Sequence, residues 1–225
     1  MSQNSTKLEK LGQVADATTG NWVDNLAPIK LRPYLRLSRA DRPIGTWLLL
    51  IPCWWGLLIG ILEDEKVFVS DFWLFFSCSI GAFLMRGAGC TWNDILDRKI
   101  DGAVERTRSR PLPSGQVNLI QAIIWMIVQI GLAGIFLLSY NFNAIILGLS
   151  SLFLVAIYPL AKRFTWWPQV FLGLAFNWGV ILLFVAHTGS LNWPILALYV
   201  SGIFWTLFYD TIYAYQDSQD DLLLG

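Results

Sequence analysis

Six apolar runs, at 44–62, 68–92, 119–138, 142–161, 168–187 and 194–213, set the terms for how this chain folds. Each is close to the ~20 residues that a helix needs to cross a hydrocarbon core. Backbone polar groups have no water partners there, so a spanning segment satisfies them internally as a helix. With 55% apolar residues and 12 Trp against 14% charged residues, a soluble domain is excluded. The expected fold class is therefore all-α, a polytopic membrane helical bundle of about six transmembrane helices. The runs are too uniformly apolar for periodicity to separate buried from lipid-facing sides; length and flanks decide instead.

The formal net charge of zero hides a marked asymmetry. Lys7, Lys10, Lys30, Arg32, Arg36, Arg39 and Arg42 precede the first run. Arg98, Lys99, Arg106, Arg108 and Arg110 follow the second, and Lys162 and Arg163 follow the fourth. The alternate loops hold only Lys66. Basic residues stay on the cytoplasmic side. This predicts a multi-pass protein of a bacterial inner (plasma) membrane with its N-terminus in the cytoplasm. Residues 1–35 read as a polar cytoplasmic tail, flexible over its first 30 residues. From Pro28 to Arg42 apolar and basic residues mix, which fits either an interfacial helix or an irregular lead-in. No nucleic-acid partner is expected.

Two acid clusters stand at the ends of apolar runs: Asn93, Asp94, Asp97 and Asp101 after the second, then Asp210, Asp217, Asp220 and Asp221 at the sixth. An even number of spans separates them, so both fall on the cytoplasmic side. If the second span stays helical past Trp92, then Arg86, Asn93, Asp94, Asp97 and Asp101 project within an arc of roughly 100°. On the last span Asp210, Asp217 and Asp221 fall within about 40°, and Asp220 points away. Like charges on one helical face repel without a counterion. Oxygen ligands with no His or Cys favour Mg²⁺, which commonly binds through one or two carboxylates and a phosphate. The cluster residues therefore predict Mg²⁺ ions that bridge a diphosphate, with Asp210 in support of Asp217 and Asp221.

Arginines at alternate positions 106, 108 and 110 suit phosphate oxygens. Arg86 lies about two turns inside the membrane from Asn93, where a charge is costly and usually functional; an acid or a phosphate is its expected partner. His187, the single histidine, falls at the external end of the fifth run, a membrane thickness from the acids, which argues against a metal or acid–base role there. Cys53, Cys78 and Cys90 lack metal-ligand spacing and read as buried apolar side chains.

The ordered motifs resemble those of the UbiA family of intramembrane prenyltransferases. Asn93-Asp94-Ile-Leu-Asp97-Arg-Lys-Ile-Asp101 is similar to its NDxxDxxxD signature, and Asp217-Ser-Gln-Asp-Asp221 to its second, DxxxD. Arg39-Ala-Asp-Arg-Pro-Ile-Gly-Thr46, Arg106-Thr-Arg-Ser-Arg-Pro-Leu112, Tyr158-Pro-Leu-Ala-Lys-Arg163 and Tyr209-Asp-Thr-Ile-Tyr-Ala-Tyr-Gln-Asp217 extend the likeness over about 36–225. They point to the branch acting on 4-hydroxybenzoate in ubiquinone synthesis.

The resemblance implies a helical bundle with paired Asp-rich Mg²⁺ sites, and polyprenyl diphosphate and 4-hydroxybenzoate as substrates. It assigns Asn93, Asp97, Asp101, Asp217 and Asp221 to metal and catalysis. Asp94 belongs to the first motif. Lys162 and Arg163 match diphosphate-binding positions, and Arg42 is a candidate for the carboxylate of the aromatic acid. It also implies about three further spans, so residues 36–225 are expected to form a partial bundle, six helices of the usual nine, with little prenyl transfer. A prenyltransferase of the same family with another aromatic or quinone acceptor is the nearest alternative. A divalent-cation transporter is a second, although its pathway lacks acids at the span centres. A CDP-alcohol phosphotransferase is a third, although the remaining glycines and aspartates of that signature are missing.

Overall fold

A computed structural model describes residues 14, 17, 18, 20–161 and 163–222, and the side chains among them up to residue 213 except that of Lys162. Two short helices, α1 (Trp22–Asn25) and α2 (Arg32–Leu37), precede six long ones: α3 (Ile44–Asp64), α4 (Val69–Ala103), α5 (Leu119–Leu137), α6 (Phe142–Ala161), α7 (Pro168–Thr188) and α8 (Trp193–Leu222). Among the described residues there is no strand. All six long helices are apolar and long enough to cross a membrane. Their exposed side chains, such as Ile120, Ile127, Phe153, Trp205 and Phe208, are those of a lipid-facing surface. The protein is a multi-pass membrane protein, as the six runs predict. The second run does stay helical past Trp92, as far as Ala103.

Polar side chains at the span ends close the helices. Asn118 and Gln121 form a reciprocal capping box at the start of α5, with bonds of 2.9 and 3.0 Å. The Asn141 and Asn192 side chains accept from Ala144 N–H and Ile195 N–H at the starts of α6 and α8. Gly189, at φ 81°, ends α7 in the left-handed conformation, and its N–H donates to the Val185 carbonyl at 2.8 Å. Pro52 and Pro159 lie inside α3 and α6, as membrane helices tolerate.

The chain divides into two compact units. The first comprises Met1–Trp47 and Ile80–Phe136. Its core joins Leu37, Leu112, Val117 and Ala122, and a second cluster joins Val23, Ala27 and Ala40. Composition suggests a flexible tail through residue 30, yet Val23 is fully buried and Arg36 pairs with Asp24 at 2.7 Å. The α1 and α2 segments are thus packed structure. Ser38 accepts hydrogen bonds from Trp125 at 2.8 Å and Gln129 at 3.0 Å, which ties the turn after α2 to α5.

The second unit comprises Leu48–Ser79 and Leu137–Gly225. Its core gathers Ala144 of α6, Val180, Ile181, Phe184 and Val185 of α7, and Ile195 and Tyr199 of α8. Short connections between α6, α7 and α8 make sequence neighbours pack against each other. Glycines let them approach closely: a β-carbon at Gly56 of α3 would overlap the Val180 carbonyl, and one at Gly179 would meet Cys53. Buried Asn177 donates to Thr206 at 2.9 Å, a polar link between α7 and α8.

Candidate functional site

The first acid motif occupies the last three turns of α4, in the first unit. Helical spacing brings Asn93, Asp97 and Asp101 to one side, since residues four apart lie one above the other. Asn93 is half-buried, whereas Asp97 and Asp101 are 3% and 7% exposed. Burial of two carboxylates so near each other demands positive charge close by.

Arginines supply part of it. Asp94 is wholly inaccessible, and its Oδ1 accepts from Arg39 Nη2 at 2.7 Å. Arg39 reaches it from a turn in which its own φ is +56°, a left-handed conformation that a bulky L-residue rarely adopts. Arg110 Nη1 donates to both carboxylate oxygens of Asp101, at 3.1 and 3.0 Å, and stands 3.6 Å from Asp94 Oδ1. Thr107 Oγ1 donates to the Asp101 carbonyl at 2.9 Å. The loop after α4 therefore folds back on the motif that precedes it. Of its three alternate arginines, Arg110 faces the acids, while exposed Arg108 pairs with Glu105 at 3.2 Å.

The remaining basic candidates differ in setting. Arg42 Nη2 pairs with buried Asp41 at 3.1 Å. Arg86 is half-buried, contacts Cys90 Sγ one turn on, and lies so close to Gly45 that a β-carbon there would overlap its guanidinium. Arg163 is exposed. Lys162 lies outside the described residues. In the second unit, α8 is helical through Asp210, Asp217, Asp220 and Asp221. Asp210 is half-buried, and the side chains of Asp217, Asp220 and Asp221 lie outside the described set.

Among the described residues, no three His, Cys, Asp or Glu side chains converge into a ready-made metal cage. The donor chemistry of Asn93, Asp97 and Asp101, amide and carboxylate oxygens only, fits Mg²⁺. That ion commonly takes one or two carboxylates and completes its shell with water and phosphate.

Sequence reasoning left three side chains without the partners that the structure gives them. Arg39 was visible within a family motif and Arg110 as one of three phosphate candidates; nothing in their spacing signals Asp94 or Asp101 as partners. His187 is the third. Its Nδ1 lies 2.7 Å from Asp71 Oδ1 and its Nε2 3.4 Å from Asp64 Oδ2, and its side chain is 1% exposed. The histidine thus sits between two carboxylates outside both acid motifs.

A model of the UbiA prenyltransferase family matches residues 49–225. The chain is 50% identical over 204 residues to the rat 4-hydroxybenzoate polyprenyltransferase, mitochondrial, covering 90% of this chain and 54% of that protein. It is 48% identical over 218 residues to the human protein of that name, covering 96% and 58%, so it spans about half the length of these curated relatives. Among solved structures, an apo UbiA homologue from Aeropyrum pernix K1 superposes with a TM-score of 0.65 at 27% identity, over 78% of this chain and 65% of that one. A UbiA homologue from Archaeoglobus fulgidus shares the fold, with a TM-score of 0.66 at 18% identity over 84% and 65%. The matched model covers most of the chain and takes in both acid motifs: the chain belongs to the UbiA prenyltransferase family.

Proposed function

We propose that the protein transfers a polyprenyl group from polyprenyl diphosphate to the ring of 4-hydroxybenzoate, in ubiquinone biosynthesis, with Mg²⁺ as cofactor. The observation that carries this reading is the oxygen-donor series of half-buried Asn93 and buried Asp97 and Asp101 at the end of a membrane helix, among arginines. Relatives named 4-hydroxybenzoate polyprenyltransferase support the acceptor and donor. The Archaeoglobus fulgidus homologue, solved with GPP and Mg²⁺, supports the cofactor.

Asn93, Asp97 and Asp101 would hold one ion against the diphosphate, and Asp217 and Asp221 of α8 a second, with Asp210 in support. A bound Mg²⁺ supplies Lewis-acid stabilisation of the charge that builds on the leaving diphosphate. Lys162, Arg163 and Arg86 are assigned to the same anion, and Arg42 to the acceptor carboxylate. Departure of the diphosphate leaves an allylic cation, which the electron-rich ring carbon beside the phenol oxygen captures before a proton is lost. The apolar and aromatic lining of membrane helices protects such a cation from water. The basic residues on one side of the spans support a cytoplasmic site in a bacterial inner membrane. The curated relatives are named mitochondrial.

The test is to incubate membranes holding the protein with Mg²⁺, labelled polyprenyl diphosphate and a panel of phenolic acids, and to identify the product. A low level of prenylated 4-hydroxybenzoate that disappears with Asp97→Ala and with Asp217→Ala is expected. Wild-type rates in both variants would overturn the metal assignment, and a product on another acceptor alone would overturn the substrate.

A further inference from the structure

Asp101 is fastened twice by the loop that follows it. Its carbonyl accepts from the Thr107 hydroxyl, 5% exposed, and both its carboxylate oxygens accept from Arg110 Nη1. Backbone bonds wind the intervening segment into turns: Thr107 N–H and Arg108 N–H both donate to the Val104 carbonyl, and Arg110 N–H to that of Thr107. The far half of the loop is anchored independently, because Leu112 and Val117 are buried with Leu37 and Ala122. Release of Arg110 would therefore loosen 104–110, still tethered by the Thr107 bond to Asp101 and the Gln116 bond to the Ser109 carbonyl, and leave 112–117 in place.

We propose that Arg110 is an internal counter-cation for Asp101 that a divalent ion displaces, so that residues 104–110 form a strap which opens as the metal binds. The inference rests on the assignment of Asp101 to the metal set. A dication on either Asp101 oxygen would stand one coordination bond and one hydrogen bond from a guanidinium nitrogen. Like charges at that separation in a half-dry site repel. The two cations compete for the same lone pairs, and occupancy by one loosens the other. Without Arg110, Asp101 would lose its bidentate guanidinium contact whenever the metal is absent. The strap thus keeps the empty motif folded and sets a threshold that the metal must exceed.

Mn²⁺ serves as the probe, with and without inorganic pyrophosphate, on the purified protein in nanodiscs. Electron paramagnetic resonance reads its affinity, and hydrogen–deuterium exchange reads the loop. Mn²⁺ is expected to raise exchange severalfold at Thr107, Arg108 and Arg110 and to leave Leu112 and Val117 unchanged. Arg110→Gln is expected to exchange fast at these amides without metal and to bind Mn²⁺ about three- to tenfold tighter. Arg110→Lys, which keeps the charge but not the fork, should lie between. Arg108→Gln removes the same charge from the exposed side of the loop and should shift affinity less than twofold, which separates competition from net charge. Equal or weaker Mn²⁺ binding by Arg110→Gln, with unmoved exchange in the wild type, would overturn the strap while sparing the metal reading. No Mn²⁺ bound by the wild type in either arm would overturn both.

Discussion

Arg39 Nη2 lies 2.7 Å from Asp94 Oδ1, and each side chain is all but sealed from solvent. The pair joins the turn after α2 to the helix that carries the first acid motif, one residue beyond Asn93. Asp94 could reach a ligand only by giving up this bond to Arg39. Removal of one partner from such a pair strands a charge, so Arg39→Gln and Asp94→Asn are each expected to lower stability by about 3–5 kcal/mol. The double variant should cost clearly less than the sum. Arg39→Gly should be less damaging than Arg39→Gln by about 1 kcal/mol, because it relieves the left-handed backbone. Thermal unfolding in detergent, analysed as a double-mutant cycle, checks all of these. Additive losses would mean that the two side chains do not act together.

Asp97 and Asp94 belong to one motif and are expected to fail differently. Asp97→Asn should reduce prenyl transfer by about 10²–10³-fold, the cost of one lost electrostatic contact to the reacting group, with the unfolding temperature kept. Asp94→Asn should lose stability first and activity as a consequence. Parallel measurement of turnover and melting temperature separates the two roles.

How much of this was legible in the sequence depends on the range of the interaction. The spans were readable because length and apolarity alone define them, and the starts of all six helices match the runs closely, although α4 and α8 continue past theirs, to Ala103 and Leu222. That α4 carries Asn93 to Asp101 on a continuous helix followed from local spacing. The burial of Val23 and Ala27 was not readable, since a polar segment gives no hint that two small apolar residues are enough to dock it. Nor were the partners of Arg39 and His187, which lie 55 and 116 residues away and are set by packing. Isolated charges in sequence look like solvated or topogenic residues until the fold supplies their counterions.

His187 provides such a case in the second unit. With its imidazole buried between Asp71, itself 4% exposed, and Asp64, His187→Ala leaves the Asp71 carboxylate dependent on the Phe68 N–H bond. A loss of about 3 kcal/mol is expected. Asp64→Asn should cost under about 1 kcal/mol, because that carboxylate is 42% exposed and screened. Melting temperatures of the two variants read the ranking, and an Asp64→Asn loss as large as that of His187→Ala would contradict it.

Tyr140, in the connection between α5 and α6, predicts an alkaline limit. Burial pushes its phenol above the ordinary value near 10, against a smaller opposing effect from the Ser77 hydroxyl 2.7 Å away. A raised folded value means that the folded state holds its proton more tightly than the unfolded state. The corresponding stability is complete below the unfolded value and declines as pH climbs through and above it. Tyr140→Phe should flatten that decline above about pH 10, at the expense of the Ser77 bond at neutral pH. Unfolding midpoints from pH 8 to 11 in both forms provide the measurement.

Glycine substitutions test the helix packing itself. At Gly56 a methyl group would overlap the backbone carbonyl of Val180, and a carbonyl cannot rotate away as a side chain can. Gly56→Ala must then push α3 from α7, with an expected loss of about 1–3 kcal/mol or more. At Gly131 on exposed α5 nothing lies within 4 Å of the same methyl group. There alanine removes only the entropic penalty of glycine in a helix, and Gly131→Ala should be neutral or stabilising by up to about 1 kcal/mol. The two changes add the same atoms to helices of the same kind, so helix propensity cannot produce opposite signs. Should both variants melt alike, the close approach of α3 to α7 is not what holds the second unit together.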